Sequence, residues 1–155
     1  MDYTIRAGEK KDFPKILDYI KELADFENAL ENVTNSVEKM EDESQYFKTF
    51  VVENQEGEIV AFALYFFAYF TWIGKSLYLD DLYIDKKHRR KGIASALINK
   101  IMEVAKSENC KRVRWQVLDW NVDAIELYKK ANARLDYEWV NCDYDEEGIK
   151  NYKNI

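Results

Sequence analysis

One proline and five glycines in 155 residues leave no Pro/Gly-rich linker, and no repeat or low-complexity segment interrupts the chain. Cysteine is almost as scarce. Cys110 and Cys142 stand far apart with no CxxC, which excludes a zinc-finger spacing and a disulfide framework. No metal is expected, and a reducing, cytoplasmic setting follows as the expectation. Positive charge is in the minority, with a formal net charge of -6. Such a chain repels nucleic acid as a whole, so a basic cluster acts only locally. Neither GxxxxGK[ST] nor GxGxxG occurs, which removes the Walker loop and the dinucleotide fingerprint. The longest uncharged run, Ile59 to Gly74, falls short of the ~20 residues a spanning helix needs. The opening "MDYTIRAGEKKDF" has no apolar signal-peptide core, so no membrane partner is expected.

What is present fits a single domain over residues 1–155 with a real hydrophobic core. "YTIRA" predicts a first strand. Asp12 is placed to cap a helix with Pro14 in its first turn. Phe13, Ile16, Leu17, Ile20, Leu23 and Ala24 mark one face of that helix. Residues 28 to 46 predict a loop with a short helix near Val37. "FKTFVVEN", the long run from Ile59, and "LYLDDLYID" predict three consecutive strands, turned at "QEGE" and "TWIGKS". A helix follows, its apolar residues running from Ile93 to Ala105. "KRVRWQVLDW" predicts another strand, Asn121 caps a helix reaching about Lys130, and "WVNCDYD" predicts a last strand. The order gives a mixed-sheet α/β domain rather than a doubly wound one.

The most informative stretch is "DKKHRRKGIASALINKI", residues 85 to 101. A strand ends near Asp85 and a helix starts near Gly92. A helix N-terminus offers unpaired N–H groups and the positive end of its dipole, a natural site for phosphate or pyrophosphate. Gly92 and Ala94 keep the backbone approachable, Arg89, Arg90 and Lys91 add charge, and Ser95 can donate another hydrogen bond. Taken by itself the run also reads as a solvated basic loop or a short nucleic-acid patch.

The surroundings narrow these readings. "RRKGIA" resembles the Q/R-x-x-G-x-G/A signature of the Gcn5-related N-acetyltransferases (GNAT), with Arg89, Gly92 and Ala94 at the signature positions. "WIGKSLYLDDLYI", "VLDWNVDAIELYKKANA" and "IKELADFE" resemble one branch of that family, the diamine (spermidine/spermine) and thialysine acetyltransferases. The resemblance implies the GNAT fold, a mixed, mostly antiparallel central sheet flanked by helices, and transfer of acetyl from acetyl-CoA to a primary amine. It implies that the backbone of Arg90 to Ser95, Ile93 included, holds the CoA pyrophosphate. Leu82, Tyr83 and Ile84 would pair their backbone with the pantetheine arm, and an N–H near Leu82 would polarise the thioester carbonyl.

The same resemblance makes Tyr128 the general acid toward the leaving thiolate, on one helix face with Asn121, Ala124 and Ile125. It also gives Asn121, Val122, Asp123 and Ala124 contacts with CoA. Asp80 matches a family Glu assigned to substrate binding and deprotonation, and is one methylene shorter, so a water relay is an alternative base. Neighbouring Asp81 points to the opposite side unless the strand bulges. Phe26, Glu27, Trp72, Arg114, Trp115 and Gln116 would contact the substrate, a polyamine, a diamine or a thialysine-like amino acid. Phe70 replaces an Asp of some polyamine enzymes, and Arg114 would repel polyamines if it points inward. A homodimer is implied, and no nucleic-acid partner. Protein or peptide amine acetylation, and a CoA-binding regulatory protein without turnover, are alternatives. His88 lies in the anion loop, away from the amine.

Overall fold

In a computed structural model, which describes residues 2–153, the first strand, β1, spans Tyr3–Ala7. A short 3-10 turn leads into α1, Phe13–Phe26, with Pro14 in its first turn. Asp12 does not cap α1 with its side chain, contrary to expectation. Its carboxylate accepts two bonds from the Arg6 guanidinium, at 2.7 and 2.9 Å, and the N–H of Glu9 at 2.8 Å. A bidentate charged donor outcompetes a lone helix N–H for the same oxygens. A second 3-10 turn at Leu30–Asn32 precedes α2, Val37–Asp42, which Ser36 caps by accepting the N–H of Lys39.

Three strands follow without interruption: β2, Lys48–Asn54, β3, Ile59–Phe70, and β4, Gly74–Ile84. Helix α3 is Ile93–Ser107, and β5 is only Val113–Arg114. The sheet order is β1-β2-β3-β4-β5. The first three pairings are antiparallel and β4–β5 is parallel. This is the mixed, mostly antiparallel sheet that the sequence predicts.

Helices cover both faces of this sheet, which is why β3 reads as a continuous apolar run rather than an alternating one. Leu97, Ile101 and Ala105 of α3 pack with Val52, Ala61, Ala63, Leu77 and Leu79 on one face. Phe13, Ile16, Leu17 and Tyr19 of α1 pack with Met40, Val51, Phe62 and Tyr83 on the other. Full burial of each large side chain contributes about 2 kcal/mol. Tyr19 closes the α1 side with polar satisfaction as well, its hydroxyl donating to the Ile59 carbonyl at 2.8 Å.

The chain forms two compact units, one reaching to Gln116 and one from Val117. In the second, α4 is Val122–Lys130, and the Asn121 side chain accepts the N–H of Ala124 at 3.3 Å, the predicted cap. The expected strand at "WVNCDYD" is absent, and residues 139–145 carry no regular element. Trp139, Val140 and Tyr144 are exposed there. Strand-like composition needs a pairing partner to become a strand. The polar tail instead forms α5, Glu146–Lys150, capped by Asp145 through the N–H of Gly148 at 2.7 Å.

Candidate active site

The register of β4 on β3 breaks at one place. Tyr65 pairs with Leu79 and Leu64 with Asp81, so Asp80 is an extra residue opposite nothing. A bulge of this kind shifts the alternation of side chains. Leu77 and Leu79 face α3, and so do Leu82 and Ile84. Two residues rather than one therefore stand between Leu79 and Leu82. Both Asp80 and Asp81 occupy the face shared with Tyr83 and α1. The bulge brings together two carboxylates that simple alternation would separate.

Glu27, at the C-terminal end of α1, is the third carboxylate of this group. Asp81 is half-buried, and its carboxyl is pushed up to about 7, first by burial and then by the charges of Asp80 and Glu27. Asp80 is also raised by desolvation, although it keeps an exposed side, and Glu27 is raised by burial. Asp81 alone is also pushed by neighbouring charge, since Asp80 and Glu27 would ionise beside it in a poorly hydrated place. A carboxyl that titrates near neutrality is suited to take up a proton. The resemblance points to Asp80 or a water relay for that task, and Asp81 is the carboxyl held nearest neutrality. The adjacent pair was visible in the sequence, and the bulge that aligns it was not.

The pairing of β4 with β5 covers only Leu77 with Val113 and Tyr78 with Arg114. From Leu79 to Ile84 the outer edge of β4 has no strand partner among the described residues. Backbone groups of Leu82 and Ile84 on such an edge can bond an extended ligand as an added strand would. The Tyr83 side chain is not available to a ligand on this edge, since it is buried and its hydroxyl donates to Glu22 at 2.6 Å.

Beyond this edge lies the turn into α3. Arg90 and Gly92 both have positive φ, 63° and 80°. Left-handed residues interspersed in a turn gather backbone N–H groups into an anion-binding concavity. The first helical amide to find a partner is that of Ala96, bonded to the Gly92 carbonyl at 3.0 Å. The N–H groups of Ile93, Ala94 and Ser95 stand ahead of that ladder. A Cβ built on Gly92 would meet nothing within 4 Å, so the space over the turn is open. Ser95, Arg90 and Lys91 are exposed. Arg89 is partly engaged, its Nε donating to the Ile84 carbonyl at 3.1 Å and its guanidinium lying 5.5 Å from the Tyr83 ring centre. It anchors the turn to the end of β4. His88 is also tied down, its Nδ1 3.1 Å from the Tyr3 hydroxyl. These residues fit a pyrophosphate.

Not every expected substrate contact joins the acidic group. Trp72 sits in the tight turn between β3 and β4, beyond Phe70 and well removed along the strand from Leu64, which faces Asp81. Trp115 packs into the α3 cluster, on the other face of the sheet. Phe26 is exposed at the end of α1, next to Glu27, and Gln116 is exposed at the end of the first unit. In the second unit, Val122 and Asp123 are exposed, while Asn121, Ala124 and Tyr128 are half-buried. Burial raises the Tyr128 hydroxyl above the ordinary tyrosine range, so it keeps its proton at neutral pH.

A bulged strand with a free outer edge leads into an arginine-rich turn and an open helix N-terminus, an arrangement suited to an extended ligand that carries phosphate. The chain matches the Acetyltransferase (GNAT) family over residues 15–133 and belongs to it. Members of that family use acetyl-CoA. The chain is similar to the thialysine N-epsilon-acetyltransferase of Sus scrofa, 37% identical over 141 residues, covering 84% of this chain and 83% of the relative. It is also similar to the spermine/spermidine N(1)-acetyltransferase of Bacillus subtilis (strain 168), 28% identical, covering 72% and 79%. A solved aminoglycoside acetyltransferase from an uncultured soil metagenomic sample shares the fold, with a TM-score of 0.75, 23% identity, and coverage of 94% of this chain and 100% of that one.

Proposed function

We propose that this acetyltransferase moves acetyl from acetyl-CoA to the primary amine of a small molecule, a polyamine, a diamine or a thialysine-like amino acid. One observation carries the reading. The bulge on β4 presents two carboxylates, and the same strand leads from them along a free edge into an open anion cradle. The names of the relatives in the thialysine and polyamine branch support the choice of a small amine.

Acetyl-CoA supplies an activated acyl group. Arg90 to Ser95 hold its pyrophosphate, with Lys91 and Arg89 adding charge. Asn121 to Ala124 provide further contacts, and the Leu82–Ile84 edge bonds the arm. An alkylammonium must lose a proton before its nitrogen attacks. Asp81 takes that proton, directly or through a water that Asp80 orients. The nitrogen–acyl bond forms as the carbon–sulfur bond breaks, and Tyr128 donates its hydroxyl proton at the departing sulfur. Residues 1–155 act as one GNAT domain in a cytoplasmic homodimer, with no metal in the reaction.

The test is release of free thiol from acetyl-CoA against a panel of amines, with the acetylated product identified by mass. The panel holds spermidine, putrescine, thialysine, lysine and a lysine-bearing peptide. Release with the small amines is expected. Release with the peptide alone overturns the small-molecule reading, and binding of acetyl-CoA without release on any amine overturns turnover.

A further inference from the structure

Arg90 takes a left-handed backbone, with φ of 63°, without being glycine. A side chain disfavours that region, so the surroundings must hold the residue there. Arg89, just before it, is pinned at two places. Its Nε donates to the Ile84 carbonyl at 3.1 Å, and its guanidinium lies 5.5 Å from the Tyr83 ring centre. Whatever fixes the Tyr83 ring therefore fixes Arg89, and through Arg89 the entry to the anion cradle.

The Tyr83 ring is fixed from α1. It is 3% exposed and lies 5.2 Å from the ring of Tyr19, whose own hydroxyl is bonded to the Ile59 carbonyl. The Tyr83 hydroxyl donates to Oε2 of Glu22 at 2.6 Å. Burial first and then Glu22 push that hydroxyl up to about 12, against the opposing pull of Arg89, so it remains a donor through the neutral range. A hydroxyl that gives its proton to a carboxylate presents a more electron-rich oxygen and ring to a cation. Acid, phenol and guanidinium thus form a chain from α1 to the turn. Glu22 is an exposed residue. An exposed carboxylate behind an anion site weakens the field that attracts the anion, so its place there needs another reason.

We propose that Glu22 and Tyr83 are positioning residues for the cofactor turn. The hydrogen bond from Tyr83 to Glu22 holds Arg89 against the Ile84 carbonyl, and Arg89 holds Arg90 and Gly92 in the left-handed geometry that gathers the N–H groups of Ile93 to Ser95. This rests on the proposed binding of the CoA pyrophosphate at that turn. Helix α1 then braces β4 twice, with Glu27 acting on Asp81 beside the amine and Glu22 bonded to Tyr83 behind the cofactor.

Calorimetric binding of CoA and of dephosphorylated pantetheine tests this. Tyr83→Phe keeps the ring and removes the hydroxyl. It should weaken CoA about three- to tenfold, the worth of one hydrogen bond, and leave pantetheine unchanged. In steady state it should raise KM for acetyl-CoA and leave KM for the amine unchanged. Glu22 separates hydrogen bonding from charge. Glu22→Ala should weaken CoA as Tyr83→Phe does. Glu22→Gln, whose amide oxygen still accepts, should bind CoA at least as well as the unsubstituted protein. If charge alone mattered, both Glu22 variants would bind CoA more tightly, and that result would overturn the proposal. Equal losses for CoA and pantetheine would overturn it too. In an Arg89→Leu background Tyr83→Phe should have no further effect, and full additivity would remove Arg89 from the chain. If the unsubstituted protein bound no CoA, the cofactor reading would fall, and backbone amide order parameters of Arg89 to Gly92 in the free protein would decide the proposal. A drop in Tyr83→Phe and Glu22→Ala supports the brace, and unchanged values overturn it.

Discussion

Asp80 stands in the bulge of β4 opposite no residue of β3, while Asp81, next in sequence, faces Leu64. That single register shift puts both carboxylates on the α1 side of the sheet. It also accounts for the upward displacement of Asp81 to about 7, since burial and two neighbouring carboxylates act on it together. Asp81→Asn should therefore remove an inflection near pH 7 from the kcat/KM profile and lower the plateau by about a hundredfold. Asp80→Asn should weaken activity without removing that inflection. An unchanged profile in Asp81→Asn would return the base role to Asp80 or to water.

The same carboxyl has a consequence for stability. A folded pKa above the ordinary aspartate value means the folded state holds more protons than the unfolded one between about pH 4 and pH 7. Stability therefore falls as pH rises through that window, and the penalty is largest above pH 7. Asp81→Asn should raise stability at pH 8 by about 2 kcal/mol, or several degrees in Tm. The gain should vanish at pH 4. Thermal melts of the two proteins at both pH values measure it, and a gain of equal size at both would disconnect it from ionisation.

Gly92 has φ of 80° and open space above it. Gly92→Ala should cost about 1 kcal/mol of stability, because a side chain disfavours that backbone region. No protein atom would be displaced, so any larger effect must come from the ligand. Affinity for CoA should fall about tenfold or more as the new methyl enters the cradle. Affinity for dephosphorylated pantetheine should change little. Calorimetry with both compounds separates the two outcomes, and equal losses would place Gly92 outside the pyrophosphate site.

How much of this was legible in the chain depends on the range of the interactions involved. The turn at Arg89 to Ser95 is local, so its composition and spacing announced it, as did the Asn121 cap and the three strands of the meander. The bulge depends on how β4 registers against β3, and no pattern within "LYLDDLYI" reports that register. The placement of Arg114 and Trp115 on opposite faces required knowing that Val113 faces α3. "WVNCDYD" has strand composition without a strand to pair with, and "DEEGIK" hid a capped turn of helix in a polar tail. Asp12 had the composition of a cap, but Arg6, the fourth residue of β1, claimed it.

That arginine makes a separate prediction about acid stability. Arg6 joins β1, β2 and the start of α1 by bonding Asp12 and Glu53, and Asp12 is almost wholly buried. The guanidinium first, together with the Glu9 N–H, holds the Asp12 carboxyl below its usual value against the cost of burial. A depressed carboxyl contributes stability that is fully present above the ordinary aspartate range and is lost as pH falls through the depressed value. Asp12→Asn should cost about 2 kcal/mol at pH 7 and progressively less below pH 4. Urea unfolding at the two pH values checks it, and a pH-independent loss would assign the effect to packing.

Tyr128 belongs to the second unit, with its hydroxyl raised by burial and so protonated throughout the neutral range. A thiol leaves unprotonated only where its thiolate is stable, above a pKa of about 8.5. Donation from a tyrosine therefore matters most below that pH. Tyr128→Phe should reduce kcat about a hundredfold at pH 7, with affinity for acetyl-CoA nearly unchanged. The deficit should shrink as pH rises past about 8.5, because the thiolate then needs no donor. Steady-state rates across that range, with acetyl-CoA binding measured separately, test the assignment. A deficit that stays constant with pH would make Tyr128 a packing residue and move the proton donor to solvent.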